Sequence, residues 1–173
     1  MKMDLNEIQD MIDHYGEEFV TVAHPIFSHT IYQIMKTIDH HDGSAYDHCL
    51  KVAYYAYRMA KRWDWHVEAT IRGALLHDFH LYQFSKRPRR SVLLEGLRHT
   101  RNHPKHALAN ALLYWNISGK EKDIIENHMF PFSIPRCREA WLISFIDKYV
   151  AIWEYSVRAK RTFRAKTRLK RHR

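Results

Sequence analysis

Glycine and proline are scarce in this chain, five of each among 173 residues. Turn-rich all-β architectures and low-complexity linkers need more of both. Cysteine is scarcer still, with only Cys49 and Cys137, far apart and in no CxxC pair. That excludes a disulfide framework and a thiolate zinc site, and leaves two free, buried thiols as the expected state. Long hydrophobic runs are missing too, since charges interrupt the apolar stretches every few residues, so no segment suits a bilayer span. The opening Met-Lys-Met-Asp-Leu-Asn-Glu lacks the apolar region of a secretory signal. A soluble, cytoplasmic protein with no membrane partner is expected.

What is present is a large apolar and aromatic fraction, 46% and 13%, enough for one well-cored domain. The formal charge of +9 suggests a nucleic-acid partner until it is located. Nine of the 28 Lys and Arg fall between Arg158 and Arg173, where there is no acid; the other 19 are balanced by 19 Asp and Glu. The chain therefore divides into a neutral domain, residues 1–157, and a basic tail, 158–173. Blocks of one charge are usually solvated extensions. No groove-reading motif accompanies this one, so any nucleic-acid binding through it would be non-specific and salt-sensitive.

Helical periodicity dominates the domain, and an all-α bundle is the expected fold class. A first helix starts near Ile8 and stops near Gly16, and another follows a turn at Pro25 and runs toward Ile38. His40-His41-Asp42-Gly43 reads as a turn, with Ser44 as N-cap of a helix over 45–63. In that helix His48, Val52, Ala56 and Met59 share one face. The next helix, 67–79, carries His77 and Asp78 in its last turn. Residues 83–102 are strongly basic and read as a mobile excursion, with room for one short helix, able to rim a site beside that helix. His103-Pro104 opens a further helix, with His103 at the cap position. A short helix over 121–128 places His128 on the face of Ile124 and Ile125. The last helix, from Arg138 to about Tyr155, is apolar almost all round and should run through the core, with Asp147 in its middle. Tyr54, Tyr55, Tyr57, Trp141 and Trp153 read as core or rim rather than as a base-stacking platform.

An ionised aspartate at the end of an apolar helix is costly unless a cation compensates it. His77-Asp78 is such a case. His48, His103, His128 and Asp147 occupy similar apolar or helix-edge settings. Four imidazoles and two carboxylates on separate helices suit a first-row transition metal such as Fe, Mn, Zn, Co or Ni. Six ligands are too many for one ion that keeps an open position. They fit two ions, roughly 3.5–4 Å apart, sharing a carboxylate and acidifying the solvent between them.

The ordered elements are Tyr46-Asp47-His48, Leu75-Leu76-His77-Asp78, Asn102-His103-Pro104, Ile125-Glu126-Asn127-His128 and Phe145-Ile146-Asp147-Lys148. Over residues 44–152 this pattern resembles the HD superfamily of metal-dependent phosphohydrolases, in its dinuclear H…HD…H…H…D branch. The resemblance implies an HD-type helical bundle and two divalent transition metal ions, with iron the first expectation and manganese or others as alternatives. It implies that His48, His77, Asp78 and Asp147 hold one ion, and that Asp78 bridges to a second completed by His103 and His128. Met129 after His128, and the absence of a GYP element, depart from the cyclic-dinucleotide hydrolases of the superfamily.

The implied activity is hydrolysis of a phosphate ester or anhydride of a small phosphorylated metabolite or nucleotide by metal-bound hydroxide. Relatives with this ligand order include symmetrical diadenosine tetraphosphate hydrolases. Asp78 and His80 are the expected catalytic residues, His80 as an acid or a phosphate contact. Arg98, Arg101 and Lys105 are candidates to neutralise substrate phosphates. His99 and His106 read as surface residues. Two other functions fit the same ligands: a di-iron oxygenase of the HD fold, and a non-catalytic HD-fold regulatory or nucleic-acid-binding protein.

Overall fold

A computed structural model of the chain describes residues 5–40, 43–81 and 92–171, with side chains for 6–38, 43–81 and 102–163. Helix α1, Leu5–Tyr15, sets Ile8, Met11, Ile12 and Tyr15 against the core. Gly16, at φ 89°, turns the chain into α2, Glu17–Phe27, a left-handed conformation that costs glycine nothing. Pro25 lies inside α2 rather than in a turn before a later helix. Two residues from the helix end, its missing N–H forfeits a single bond to the carbonyl four residues back. Beyond it come the short α3, Thr30–Gln33, and a 3-10 turn, Ile34–Thr37, in place of one continuous helix. A two-residue antiparallel ladder, β1 (Asp39–His40) with β2 (Gly43–Ser44), flanks the expected turn, whose His41 and Asp42 lie outside the described residues.

Ser44 fixes the start of α4, Ala45–Arg62. Its Oγ accepts from Asp47 N at 3.1 Å while the Asp47 carboxylate accepts from Ser44 N, a reciprocal cap. The inner face of α4 is built from Ala45, Ala53, Ala56 and Ala60 around His48, Cys49 and Val52, small enough for α5 and α8 to pack closely on it. Helix α5, Val67–Leu76, packs against α4, α2 and α7. It ends before His77, so His77 and Asp78 sit in the turn beyond it rather than in its last turn. Phe79 holds that turn in place. Its fully buried ring stacks on Tyr32 at 5.8 Å and meets Trp115 edge-on at 5.2 Å, while Tyr32 Oη donates to Leu75 O at 2.7 Å. Burying such a ring contributes about 1.5–3 kcal/mol.

The basic excursion expected over 83–102 resolves differently. Residues 82–91 lie outside the described residues, and from Val92 the chain is already α6, Val92–Tyr114. His103 and Pro104 are inside α6, not at its start. A preference for proline in the first turn does not bar it from a long helix, which absorbs one missing bond. Ser118 caps α7, Gly119–Asn127, through a second reciprocal cap with Glu121.

Helix α8 runs from Arg138 to Arg171, well past the expected end near Tyr155, and the basic stretch continues it. It does not thread the core. Ala140, Ile143 and Val150 are buried, but Phe145, Tyr149, Ile152 and Trp153 are 61, 67, 70 and 50% exposed. Periodicity shows that a face is apolar; it does not show whether anything covers it. Tyr57 is buried and Tyr54 and Trp141 half-buried, whereas Tyr55, like Trp153, is exposed. Cys49 is a buried free thiol as expected, but Cys137 is only half-buried. Among the described residues, no helix is long and apolar enough to cross a membrane.

Candidate metal centre

Four helices and the turn after α5 bring all six predicted side chains to one buried place. His48 comes from the inner face of α4, His77 and Asp78 from the turn after α5, His103 from α6, His128 from the end of α7 and Asp147 from α8. His48 Nε2 lies 3.0 Å from Asp147 Oδ1, and His77 Nε2 lies 3.6 Å from the same oxygen and 3.8 Å from Asp78 Oδ2. On the other side, Asp78 Oδ1 is 3.1 Å from His103 Nε2 and 3.8 Å from His128 Nε2. The Nε2 atoms of His103 and His128 are 3.1 Å apart.

Three of the four imidazoles are oriented through their other nitrogen. His77 Nδ1 donates to Ala74 O at 2.6 Å and His128 Nδ1 donates to Ile125 O at 2.9 Å, each ring folding back on the carbonyl three residues earlier as its helix ends. His48 Nδ1 donates to Glu154 Oε2 at 3.0 Å, and Lys51 Nζ holds the other oxygen of Glu154 at 2.8 Å. With Nδ1 engaged, each ring turns Nε2 to the centre, the orientation a metal ligand needs. His77 Nε2 is buried and makes no hydrogen bond. A buried nitrogen without a partner is rare, and a cation would satisfy it.

The carboxylates dominate the electrostatics. Burial disfavours a charge on His48, but hydrogen bonds to Asp147 and Glu154 outweigh it and push its pKa up to about 10. Burial opposes protonation of His77 as well, yet the charge of Asp78 chiefly carries it well above the ordinary range. Burial would raise Asp147, but the imidazoles of His48 and His77 hold it well below the usual carboxylate range. His128 goes the other way: burial, with His77 and His103 close by, depresses it to about 3. The carboxylates thus favour protons on the His48 and His77 side, and burial disfavours one on the His128 side. Metal uptake on the first side must expel protons.

Three sets of ligand atoms lie mutually within 4.8 Å: His48, His77 and Asp78; Asp78, His103 and His128; and His77, His128 and Asp147. The first two share Asp78, the residue expected to bridge. The third cuts across that division through Asp147. The donor set is nitrogen and oxygen throughout, three of its rings are pre-oriented, and the Asp147 carboxyl is held well below the usual carboxylate range. These residues fit divalent transition metal ions.

The remaining expectations fare unevenly. His80 is buried, and burial lowers its pKa, but it belongs to none of the three sets. Lys105 is exposed on α6, and the side chains of Arg98 and Arg101 lie outside the described residues, as does that of His99. His106 is exposed. Two residues near the centre went unread in the sequence. Glu154 backs His48, and its position seven residues after Asp147, two helical turns on the same face, was the available signal. Lys148 ties α8 to the His128 turn, its Nζ donating to Ser144 O and Oγ at 3.0 Å and to His128 O at 3.3 Å.

No curated protein and no solved structure matches the chain. The family model of the HD domain does, over residues 45–152, from the first residue of α4 into α8 and across all six of these side chains. The match covers more than half of the chain, which therefore belongs to the HD domain family.

Proposed function

We propose that the protein is a metal-dependent phosphohydrolase acting on a small phosphorylated metabolite or nucleotide. In this reading His48, His77, Asp78 and Asp147 hold one divalent transition ion, and Asp78, His103 and His128 hold a second. The observation that carries it is Asp78, whose two carboxylate oxygens face different histidine groups, Oδ2 toward His77 and Oδ1 toward His103 and His128. Ions bound there supply Lewis-acid polarisation of a phosphoryl oxygen and lower the pKa of water.

The chain's own residues do the rest. The bonds from Nδ1 of His48, His77 and His128 fix their rings before any substrate arrives, so no reorganisation is needed during reaction. His80, whose pKa burial lowers, offers a ring N–H able to hydrogen-bond a phosphoryl oxygen. Lys105, with Arg98 and Arg101 upstream on the same helix, is the source of positive charge for outlying phosphates.

The test is metal analysis of wild-type, Asp78→Ala and His128→Ala protein, followed by a screen of phosphorylated metabolites with Mn- and Fe-loaded enzyme. Near-total metal loss in the first variant and loss of one equivalent in the second are expected. Equal, full occupancy in both removes the site. Phosphate release that persists without oxygen supports hydrolysis, and oxygen consumption with no phosphate release overturns it.

A further inference from the structure

Away from the metal centre, α4 and α8 leave an open groove of about 410 Å³. Its floor is Met59 and Ile146; its walls are Tyr55, Arg58 and Arg62 from α4 and Phe145 and Tyr149 from α8. No carboxylate lines it. Arg58 and Arg62 are exposed, and neither makes an ion pair or hydrogen bond among the described residues. Four residues apart, they stand one helical turn from each other on the same side of α4. Across from them Phe145, Tyr149 and Trp153 repeat at the same spacing, about 6 Å per step along α8. All three rings are half or more exposed. Lys51 Nζ lies 5.5 Å from the Trp153 ring centroid and continues the row of cations toward the far end. Beyond Trp153 the same helix carries exposed Arg158, Lys160 and Arg161 into the acid-free basic stretch.

We propose that this α4–α8 face binds single-stranded nucleic acid, with Phe145, Tyr149 and Trp153 as a stacking platform and Arg58 and Arg62 as phosphate contacts. Two requirements of such a surface are met together, exposed aromatic rings and, across the groove from them, Arg58 and Arg62, which make no ion pair or hydrogen bond among the described residues. The arrangement suits other partners less well. A membrane-surface helix segregates its apolar and cationic sides, whereas here rings and arginines face each other across one groove. A groove that accepts an apolar helix is lined mainly by aliphatic side chains, and this one exposes rings. The inference is independent of the proposed hydrolase activity, since it uses none of the candidate metal ligands.

The test is fluorescence anisotropy of a short labelled oligothymidylate with the full chain across a range of salt, comparing wild type with two double variants. Arg58→Gln/Arg62→Gln should weaken binding and make the plot of log K against log salt shallower by about 1.4, at roughly 0.7 for each lost contact to a single strand. Phe145→Ala/Tyr149→Ala should weaken binding roughly tenfold or more while leaving that slope unchanged. Both pairs are solvent-exposed, and unaltered thermal melts establish that the fold is retained. A duplex of the same length should bind more weakly than the single strand, because its bases are already stacked. Wild-type affinity in both variants would place all binding in the basic end of α8 and overturn the proposal. So would equal preference for duplex, or binding to phosphatidylserine vesicles with none to the oligonucleotide.

Discussion

Glu154→Gln isolates what orients the metal centre without replacing a candidate ligand. Glutamine keeps the shape and an oxygen that can accept from His48 Nδ1. It loses the negative charge and the ion pair with Lys51, now 2.8 Å from Glu154 Oε1. A hydrogen bond to a charged acceptor contributes about 1.5–3 kcal/mol and a neutral one about 0.5–1.5 kcal/mol, so the bond alone weakens by about 1 kcal/mol. Carboxylates in this position behind a ligating histidine typically set metal affinity by 10–100-fold. The same carboxylate also helps His48 retain a proton that competes with the metal. The two effects oppose, which places the expected loss at the low end, about tenfold. Lys51 is about one-third exposed and can turn to water, so it adds little. Competition with a chromogenic chelator at fixed pH measures the change, and circular dichroism checks that the helices persist. Wild-type affinity in a folded Glu154→Gln protein would refute the idea that this carboxylate prepares His48 for a metal.

Gly73→Ala should destabilise the protein although alanine is the better helix former. A Cβ at residue 73 would lie 2.8 Å from Ile124 Cδ1 and Cγ2, and overpacking of about 1–3 kcal/mol outweighs a helix gain of about 0.5–1 kcal/mol. A thermal melt lowered by about 4 °C is the expected readout, and an unchanged or raised melt would show that α5 and α7 separate freely. Glu139 predicts acid sensitivity. Burial would raise its pKa, but Lys120 Nζ and backbone N–H groups including that of His66 bring it down to about 2. Its stabilisation is fully present above the unfolded value near 4.5 and lost as pH falls toward 2, about 2–3 kcal/mol in all. Glu139→Gln should therefore flatten the stability profile between those limits in urea titrations, and a profile parallel to wild type would contradict the assignment. Ser118→Ala removes the acceptor for Glu121 N and should cost about 1 kcal/mol by the same titrations at neutral pH; a loss near zero would mean that the cap is replaced by water.

The helices that carry the centre were legible because their apolar spacing is strong. His48 and His128 could be placed on inner faces from their aliphatic neighbours, and both are buried there. Ser44 was legible as a cap because a serine between a turn and a periodic apolar run is a local signal. What escaped notice depended on partners distant in sequence. Glu154 looks like an ordinary helical charge until α4 brings His48 and Lys51 against it, more than a hundred residues away. The start of α6 was misplaced because Pro104 is a strong local signal and the helix before it a diffuse one. The α8 face was read as core because an apolar surface has the same pattern whether covered or bare. His77 and Asp78 were found by their chemistry, although the helix stops one residue before them.

That early stop has an electrostatic consequence. Helices α5 and α7 both end at the centre, and His77 and His128 sit at their last carbonyls. The carbonyl end of a helix carries roughly half a negative charge. Two such ends therefore converge on a place that already holds the carboxylates of Asp78 and Asp147. The backbone itself makes the centre attractive to cations and repellent to phosphate. Substrate should consequently bind only after metal, and inorganic phosphate should fail to protect the metal-free protein against heat while protecting the loaded one.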